Sequence, residues 1–263
     1  MITTYEAAPG VDVLTSTITV PGMGNIPVNA FVLHGDVPVL VDTGVLAQSD
    51  EFMTALASVI DPATIEWIWL THTDFDHIGA LHRVLDANPK ARVITSFLGV
   101  GIMGLSTTPI PMERAYLINP GQTITLGNRT LTAFKPPAFD NPVTTGFYDD
   151  STSFLFSADC FGAMLQTDVP QRATDLSEAE LRQGQVFWAT ADSPWLHNID
   201  PALLDKQLNA IREMEPAMVL SSHLPPAPGS MTEQLLGSLA AVPNADRFAG
   251  PDQAALEQMM AGG

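Results

Sequence analysis

The chain has 263 residues, of which 29 are Asp or Glu and 11 are Lys or Arg, so its formal net charge at pH 7 is −18. An apolar content of 46% supports a packed core and excludes a mainly disordered chain. The negative charge disfavours nucleic-acid binding, because phosphates would be repelled.

The chain also lacks the marks of a secreted or membrane-spanning protein. Its single cysteine, Cys160, cannot form an internal disulfide. Residues 1–6 carry neither the basic region nor the apolar run of a signal peptide. The longest apolar stretch, 97–105, is much shorter than the roughly 20 residues that a membrane span requires. We therefore expect a cytoplasmic protein without a membrane or nucleic-acid partner.

Strands and helices alternate along the chain. Apolar runs and turn signals predict strands at 17–20, 30–33, 39–41, 67–70, 123–126, 130–133, 153–156 and 218–220. Helical spacing predicts helices at 49–60, 79–85, 177–188, 203–214 and 231–241. This alternation is typical of the α/β class. We expect one domain over 1–263, built from two βα halves at approximately 1–125 and 126–263.

Residues 71–79, T-H-T-D-F-D-H-I-G, carry the densest chemical signal. Four side chains that can bind metal fall within six residues of one another: His72, Asp74, Asp76 and His77. If the chain leaves the preceding strand extended, residues 72, 74 and 76 point to one side, and a turn then brings in residue 77. Imidazole and carboxylate groups at this spacing suit first-row metal ions. The alternative is a polar loop in which Asp76 caps the next helix.

This segment resembles the H-x-H-x-D-H signature of the metallo-β-lactamase superfamily, with Asp74 in place of the second histidine. The D-T-G of residues 42–44 and the pair Ser222-His223 resemble further landmarks of that superfamily. The resemblance implies an αββα sandwich with two metal ions at the edge where the sheets meet. Asp42 is then either a residue that orients the ligands or the turn residue that ends a strand.

Residues 29–31, 155–162 and 193–195 resemble segments of the flavodiiron and oxygen-binding diiron proteins. That branch uses Glu as its second ligand, which is one methylene longer than Asp74, and H-x-D-x-D-H also occurs in hydrolase-like members. The resemblance implies two metal sites that share one bridging carboxylate. The first would use His72, Asp74 and Asp140, the second Asp76, His77 and His223, and Asp159 would bridge the two.

Two positions in this ligand set have special status. Asp140 stands where the branch has a histidine, and the alternative is that residues 140–142 form only an Asp-Asn-Pro turn. Asp76 is, in addition, the candidate catalytic residue.

The carboxylates bear on the choice of metal and of chemistry. Asp74, Asp76, Asp140 and Asp159 would neutralise two divalent ions, whereas the hydrolase motif leaves two positive charges in excess. A neutral centre lowers the pKa of metal-bound water less than a centre with two excess positive charges does. Carboxylates also favour iron or manganese over zinc.

These considerations favour a non-haem diiron centre that binds or reduces oxygen, nitric oxide or peroxide. The second hypothesis is a metal-hydroxide hydrolase, with zinc or mixed metals, for an ester, lactone, amide or phosphoester. A third is a binding or sensor domain whose first metal site is degraded.

The resemblance also has implications for partners. Flavodiiron reductases receive electrons through a flavin on a flavodoxin-like domain, and no phosphate-binding loop follows the metal motifs here. Redox turnover would therefore require an external electron donor. The resemblance also implies a homodimer. His34 and His82 are expected to be surface or packing residues, and Cys160 is expected to point into the core. His197 is close enough in sequence to Trp195 to approach the cavity, but it matches no ligand position of the family.

Overall fold

The computed structural model describes residues 1–106 and 109–261, which form two β-sheets flanked by helices. The first sheet contains seven strands in chain order: β1 (Thr3–Ala8), β2 (Val11–Val20), β3 (Gly24–Leu33), β4 (Val39–Val41), β5 (Trp67–Trp69), β6 (Arg92–Thr95) and β7 (Ala115–Leu117). Strands β1 to β4 pair antiparallel, and β4 to β7 pair parallel.

The second sheet has the strand order β13-β12-β11-β10-β9-β8. Its strands are β8 (Thr123–Leu126), β9 (Arg129–Phe134), β10 (Gly146–Asp149), β11 (Phe154–Phe156), β12 (Met218–Ser221) and β13 (Leu224–Pro228). Only β11 and β12 pair parallel; the other neighbours are antiparallel.

Helices lie outside both sheets. They are α1 (Ser49–Val59), α2 (Leu81–Ala87), α3 (Phe97–Met103), α4 (Glu178–Asp192), α5 (Pro201–Glu213), α6 (Thr232–Ala241) and α7 (Gln253–Ala261). One apolar cluster joins α1 and α2 to the first sheet, and another joins α4, α5 and α6 to the second. None of the helices in the described ranges is long and apolar enough to cross a bilayer.

The layered arrangement of helices and sheets follows from the alternation of side chains along each strand. In β3, Ala30 and Val32 pack towards the helices, whereas Phe31 and Leu33 pack between the sheets. The ring of Phe31 meets Phe156 of the second sheet edge to face at 5.5 Å between centroids. The structure therefore confirms the α/β class and the αββα sandwich. We propose that both sheets form one domain, because the apolar cluster between them contains residues of each.

Several elements differ from the predictions. The strand expected at 17–20 is only the end of β2, since its earlier part carries the polar residues Asp12, Thr15 and Ser16. The helix expected at 79–85 begins at Leu81. Strands β1, β6, β7, β10 and β13 and helices α3 and α7 have no counterpart among the predictions, because these segments are short or mix polar and apolar residues without a clear period.

Candidate metal centre

The predicted metal-binding residues meet at one edge of the sandwich. His72 follows β5, Asp159 follows β11 and His223 follows β12. These strands belong to the parallel pairs of their sheets, so their carboxyl ends point the same way as those of their neighbours. Asp140 comes from the loop after β9. The fold therefore gathers side chains from distant parts of the chain at one place.

The loop after β5 reaches this edge by a turn. Residues 71–73 belong to no helix, strand or turn, and the backbone N–H groups of His77 and Ile78 then donate to the carbonyl oxygen of Asp74 at 2.9 and 3.2 Å. The expectation of an extended chain that presents residues 72, 74 and 76 alternately is therefore wrong beyond residue 73. The helix-cap alternative is also wrong, because Ala80, not Asp76, occupies the N-cap position of α2.

The first group of side chains surrounds His72. Its Nε2 lies 3.9 Å from Asp74 Oδ2, 4.0 Å from Asp140 Oδ1 and 3.2 Å from Asp159 Oδ2. Asn141 Nδ2 donates to Asp74 Oδ1 at 2.8 Å, which ties the loop after β9 to the loop after β5. A turn does form here, but over residues 141–144, where the N–H of Thr144 donates to the carbonyl oxygen of Asn141 at 3.0 Å. Asp140 precedes this turn, and its carboxylate lies beside His72.

The second group contains Asp76, His77 and His223. Asp76 Oδ2 lies 3.5 Å from Nε2 of each histidine. Asp159 belongs to this group as well, because its Oδ1 lies 3.2 Å from His77 Nε2 and 3.1 Å from His223 Nε2. The two oxygens of Asp159 therefore face different groups, as expected of a bridging carboxylate. All seven predicted ligands converge.

Hydrogen bonds fix the orientation of two histidines. His77 Nδ1 lies 2.8 Å from Asp42 Oδ2, and His223 Nδ1 lies 2.9 Å from the carbonyl oxygen of Pro27. A carboxylate or carbonyl only accepts, so Nδ1 carries a proton in both rings and Nε2 is the nitrogen that faces the site. Asp42 also accepts from the N–H and the hydroxyl of Thr71 at 2.8 and 2.7 Å. The interpretation of Asp42 as an orienting residue is therefore the better one.

Asn29 joins β3 to the turn that carries His223. Its Nδ2 donates to the carbonyl oxygens of Ser221 and Leu224 at 2.9 and 2.8 Å, on both sides of His223. In the sequence Asn29 belongs to a segment that resembles the diiron proteins, but its role follows only from this contact between β3 and the β12–β13 turn.

Opposite charges balance each other in the second group. Burial alone would raise the pKa of Asp159, but the surrounding imidazoles His72, His77 and His223 hold it well below its usual range. Burial would likewise lower the pKa of His223, yet Asp159 and Asp76 raise it to about 9. The same carboxylates together with Asp42 raise the pKa of His77.

Like charges dominate the first group. Burial and then the carboxylates of Asp159 and Asp74 raise the pKa of Asp140 to about 7. Burial lowers the pKa of His72, so this ring contributes little positive charge. A cation at this position would remove the repulsion among the carboxylates.

The donor atoms fit a metal. His77 Nε2 and Asp159 Oδ1 are both fully buried, and although they lie 3.2 Å apart, neither atom makes a well-aligned hydrogen bond with any described residue. Buried polar atoms without partners are rare in folded proteins and call for an explanation, such as an ion. Imidazole nitrogens and carboxylate oxygens form four overlapping groups here, three of which consist only of predicted ligands.

The fourth group contains Asp192, which the sequence analysis missed. Asp192 is the last residue of α4, and one of its carboxylate oxygens approaches those of Asp140 and Asp159. Burial and then Asp159 and Asp140 raise its pKa to about 8. No local pattern marks this residue, because its distance along the chain from the other acids hides the contact.

His34, His82, His197 and Cys160 lie outside these groups. His34 Nε2 pairs with Asp12 Oδ2 at 2.7 Å, and His82 is on α2. His197 lies in a short 3-10 helix after α4. Cys160 is buried, as expected, but it lies in the turn after β11 and not on a strand.

A family model described as ODP family beta lactamase matches residues 26–223. This segment contains every candidate ligand named above. The chain belongs to the ODP beta-lactamase family. The expected resemblance to flavodiiron proteins is confirmed, since a flavo-diiron protein of Clostridium acetobutylicum is 37% identical over 71 residues, or 27% of this chain and 18% of the relative.

Two curated relatives illustrate how far the similarity extends. A nitric oxide reductase of Moorella thermoacetica is 25% identical over 199 residues, which cover 74% of this chain and 48% of the relative. A rubredoxin-oxygen oxidoreductase of Megalodesulfovibrio gigas is 29% identical over 136 residues, or 51% of this chain and 33% of the relative. The matches thus span half or less of these curated relatives.

Solved structures show the same fold. A flavoprotein from Thermotoga maritima superposes with a TM-score of 0.78 at 20% sequence identity, over 95% of this chain and 63% of the other. This likeness confirms the arrangement of sheets and helices in this ODP-family chain.

Proposed function

We propose that this chain holds two metal ions in a carboxylate-rich, non-haem diiron-type centre that binds or reduces a small oxidant, namely oxygen, nitric oxide or peroxide. One observation carries the proposal. Asp159 presents one oxygen to His72 and the other to His77 and His223, and its side chain is 3% exposed. A buried carboxylate with this disposition suits two adjacent cations.

The proposed ligands divide into two sets. The first metal position uses His72, Asp74 and Asp140, the second uses Asp76, His77 and His223, and Asp159 serves both. When bound, iron would supply the electron-transfer chemistry towards the oxidant. The protein contributes the burial of the site and the fixed direction of the imidazoles through Asp42 and Pro27.

Asp76 is assigned a ligand role in this proposal. Burial would raise its pKa, but His77 and His223 hold it below its usual range, so its carboxyl group stays ionised at neutral pH. An ionised carboxylate serves as a ligand and is a poor proton donor. We therefore propose that Asp76 contributes to catalysis as a ligand of the second ion and not as a proton donor.

The donor set supports iron over zinc. Asp74 replaces a histidine of the hydrolase motif, and four carboxylates offset the charge of two divalent ions. Such a centre makes metal-bound hydroxide less readily. Manganese satisfies the same preference for oxygen ligands. Hydrolysis by a zinc-loaded protein is the alternative that the experiment below distinguishes.

The names of the relatives support the choice of oxidants. One is named for reduction of nitric oxide and another for transfer from rubredoxin to oxygen. By analogy, an external electron-transfer protein is proposed as the electron donor. A homodimer is proposed from the same resemblance, and sedimentation velocity measures it directly.

Metal analysis and optical spectroscopy of the aerobically purified protein test the proposal. We expect about two iron ions per chain, counted against protein concentration, and absorption of oxidised iron that is lost on anaerobic reduction and returns with oxygen or nitric oxide. Asp159→Asn should remove the absorption, whereas Asp12→Asn, which alters an Asp–His pair outside the site, should preserve it.

Other results would overturn the proposal in recognisable ways. Stoichiometric zinc with no response to oxidants, together with turnover of an ester, lactone, amide or phosphoester, would establish a hydrolase. One metal per chain and no turnover of either kind would establish a binding or sensor domain with a degraded first site.

A further inference from the structure

Asp192 lies beside the first metal position on an element that carries none of the predicted ligands. It ends α4, and its carboxylate contributes one oxygen to a group in which the oxygens of Asp140, Asp159 and Asp192 all lie within 4.8 Å of one another. Asp140 and Asp159 both approach His72, at 4.0 and 3.2 Å from its Nε2. Asp192 therefore borders the same space from the side of the helix.

Contacts of α4 and of the residues after it fix the position of Asp192. The Trp188 ring lies 4.6 Å from the His223 ring, between centroids. After the helix, Trp195 Nε1 donates to the carbonyl oxygen of Phe139 at 2.8 Å, next to Asp140. Ser193 Oγ donates to Asp192 Oδ2 at 2.8 Å, which orients the carboxylate while its other oxygen can still serve as a ligand.

A cation would explain an acid at this place. The C-terminal end of a helix carries partial negative charge, so a carboxylate in the last turn is unfavourable. Asp192 also faces the carboxyl groups of Asp140 and Asp159, and Asp159 is buried and directs its Oδ2 to His72 at 3.2 Å. Three acids in a partly buried space repel one another unless a positive ion lies between them.

The geometry points to Asp192 as a fifth donor to the first metal position, which would then offer one imidazole and four carboxylates. This inference rests on the proposed function. A donor set with so many oxygens prefers a hard ion, such as Mn²⁺ or oxidised iron, over Zn²⁺. The second position, with two imidazoles from His77 and His223, is less selective. Asp192 would thus make the first position more selective for hard ions than the second.

Metal binding to the metal-free protein tests this assignment without reference to activity. Mn²⁺ and Zn²⁺ are dialysed to equilibrium, in separate experiments, against wild type, Asp192→Asn and Glu213→Gln. Glu213 is the matched control, because it is an exposed acid that ends α5. Bound ions are counted by mass spectrometry, and free Mn²⁺ is followed by electron paramagnetic resonance.

We expect wild type to bind two ions per chain. Glu213→Gln should also bind two ions, and at each position its affinity should equal that of wild type. Asp192→Asn should bind Mn²⁺ at one position at least about tenfold more weakly, the scale of losses around metal sites, and its preference for Mn²⁺ over Zn²⁺ should fall. Asp192→Glu, which retains a carboxylate, should restore part of the Mn²⁺ affinity. Wild-type affinities in Asp192→Asn would overturn the assignment.

Two further readouts separate the possible failures. A wild type that binds fewer than two ions overturns the proposed function, and the assignment of Asp192 falls with it. Thermal unfolding of the metal-free variants separates ligand loss from misfolding, since removal of one repelling acid should not lower the melting temperature of Asp192→Asn. If Asp192→Asn does not fold, Asp192→Ser is subjected to the same binding measurement.

Discussion

Asp42 Oδ2 lies 2.8 Å from Nδ1 of His77, and both side chains are 1% exposed. The same oxygen accepts the hydroxyl of Thr71 at 2.7 Å, so this carboxylate joins the loop after β4 to the loop after β5. Asp42 adopts a left-handed backbone conformation with φ of 58°, which Asp and Asn tolerate better than other residues. The contact sets the direction in which His77 Nε2 faces the site.

Asp42→Asn should weaken metal binding at the second position. Asparagine keeps the backbone conformation and the shape of the side chain, but it removes the negative charge that favours the Nδ1 proton of His77. Changes to such outer partners typically cost about 10- to 100-fold in metal affinity. Chelator competition measures the loss, with Asp12→Asn as the control because Asp12 pairs with His34 outside the site. Equal affinities in both variants would contradict the role assigned to Asp42.

Asp159→Asn and His223→Ala should differ in the number of ions lost. Asp159 faces both groups, whereas His223 belongs only to the second. We therefore expect Asp159→Asn to lose both ions and His223→Ala to lose one. Metal analysis after dialysis distinguishes these outcomes, and the loss of the same number of ions from both variants would argue against a bridging role.

Asp159→Asn should also destabilise the metal-free protein. Its carboxylate is surrounded by three buried imidazoles, and removal of one partner from a buried charged pair typically costs about 3–5 kcal/mol. Urea denaturation at neutral pH measures the change, and unaltered stability would show that these imidazoles are neutral in the metal-free state.

The metal-free protein should lose stability as the pH rises from neutral to about 9. The raised pKa values of His77 and His223 (the latter to about 9) contribute stability that is complete below the unfolded value of 6.5 and disappears as the pH rises through the folded value. Asp140 and Asp192, with pKa values raised to about 7 and about 8, resist ionisation in the folded protein and act in the same direction.

Thermal unfolding of chelator-treated protein at several pH values checks this expectation. The melting temperature should decrease across the interval, whereas the metal-loaded protein should show a flatter profile because the ions neutralise Asp140 and fix the imidazoles as neutral ligands. A melting temperature that rises with pH would contradict the charge distribution described for the site.

The sequence contains enough to identify half of the site directly. His72, Asp74, Asp76 and His77 are close along the chain, so their spacing alone predicts a metal site, although the turn at Asp74 differs from the expected extended path. Asp159 is isolated in sequence, and only the family resemblance singled it out. Asp159 lies beside His223 because β11, which precedes Asp159, pairs with β12, which precedes His223. Local sequence does not show this pairing, so only the resemblance could place Asp159 in the site.

Contacts without any local signal could not be predicted. Asp192 meets Asp140 where a hydrogen bond from Trp195 to Phe139 joins the segment after α4 to the loop after β9. Strand β6, with the sequence R-V-I-T, is short and lacks alternation, since its apolar residues face opposite sides of the first sheet and are covered on both. Short strands of this kind form because neighbouring strands pair with them, and their own sequence does not predict them.

Gly79→Ala should impair both stability and metal binding. A Cβ at Gly79 would lie 2.4 Å from the carbonyl oxygen of Gly44, to which the Gly79 N–H donates at 2.8 Å, so the two loops would have to separate. We expect a loss of about 1–3 kcal/mol in the free energy of unfolding and weaker binding at the second position, because His77 is two residues away. Gly101→Ala is the matched control. Its Cβ would meet nothing within 4 Å on α3, and alanine should stabilise that helix by roughly 0.5–1 kcal/mol. Urea denaturation and chelator competition on both variants measure these effects, and equal stabilities would show that the loops around Gly44 and Gly79 are free to move apart.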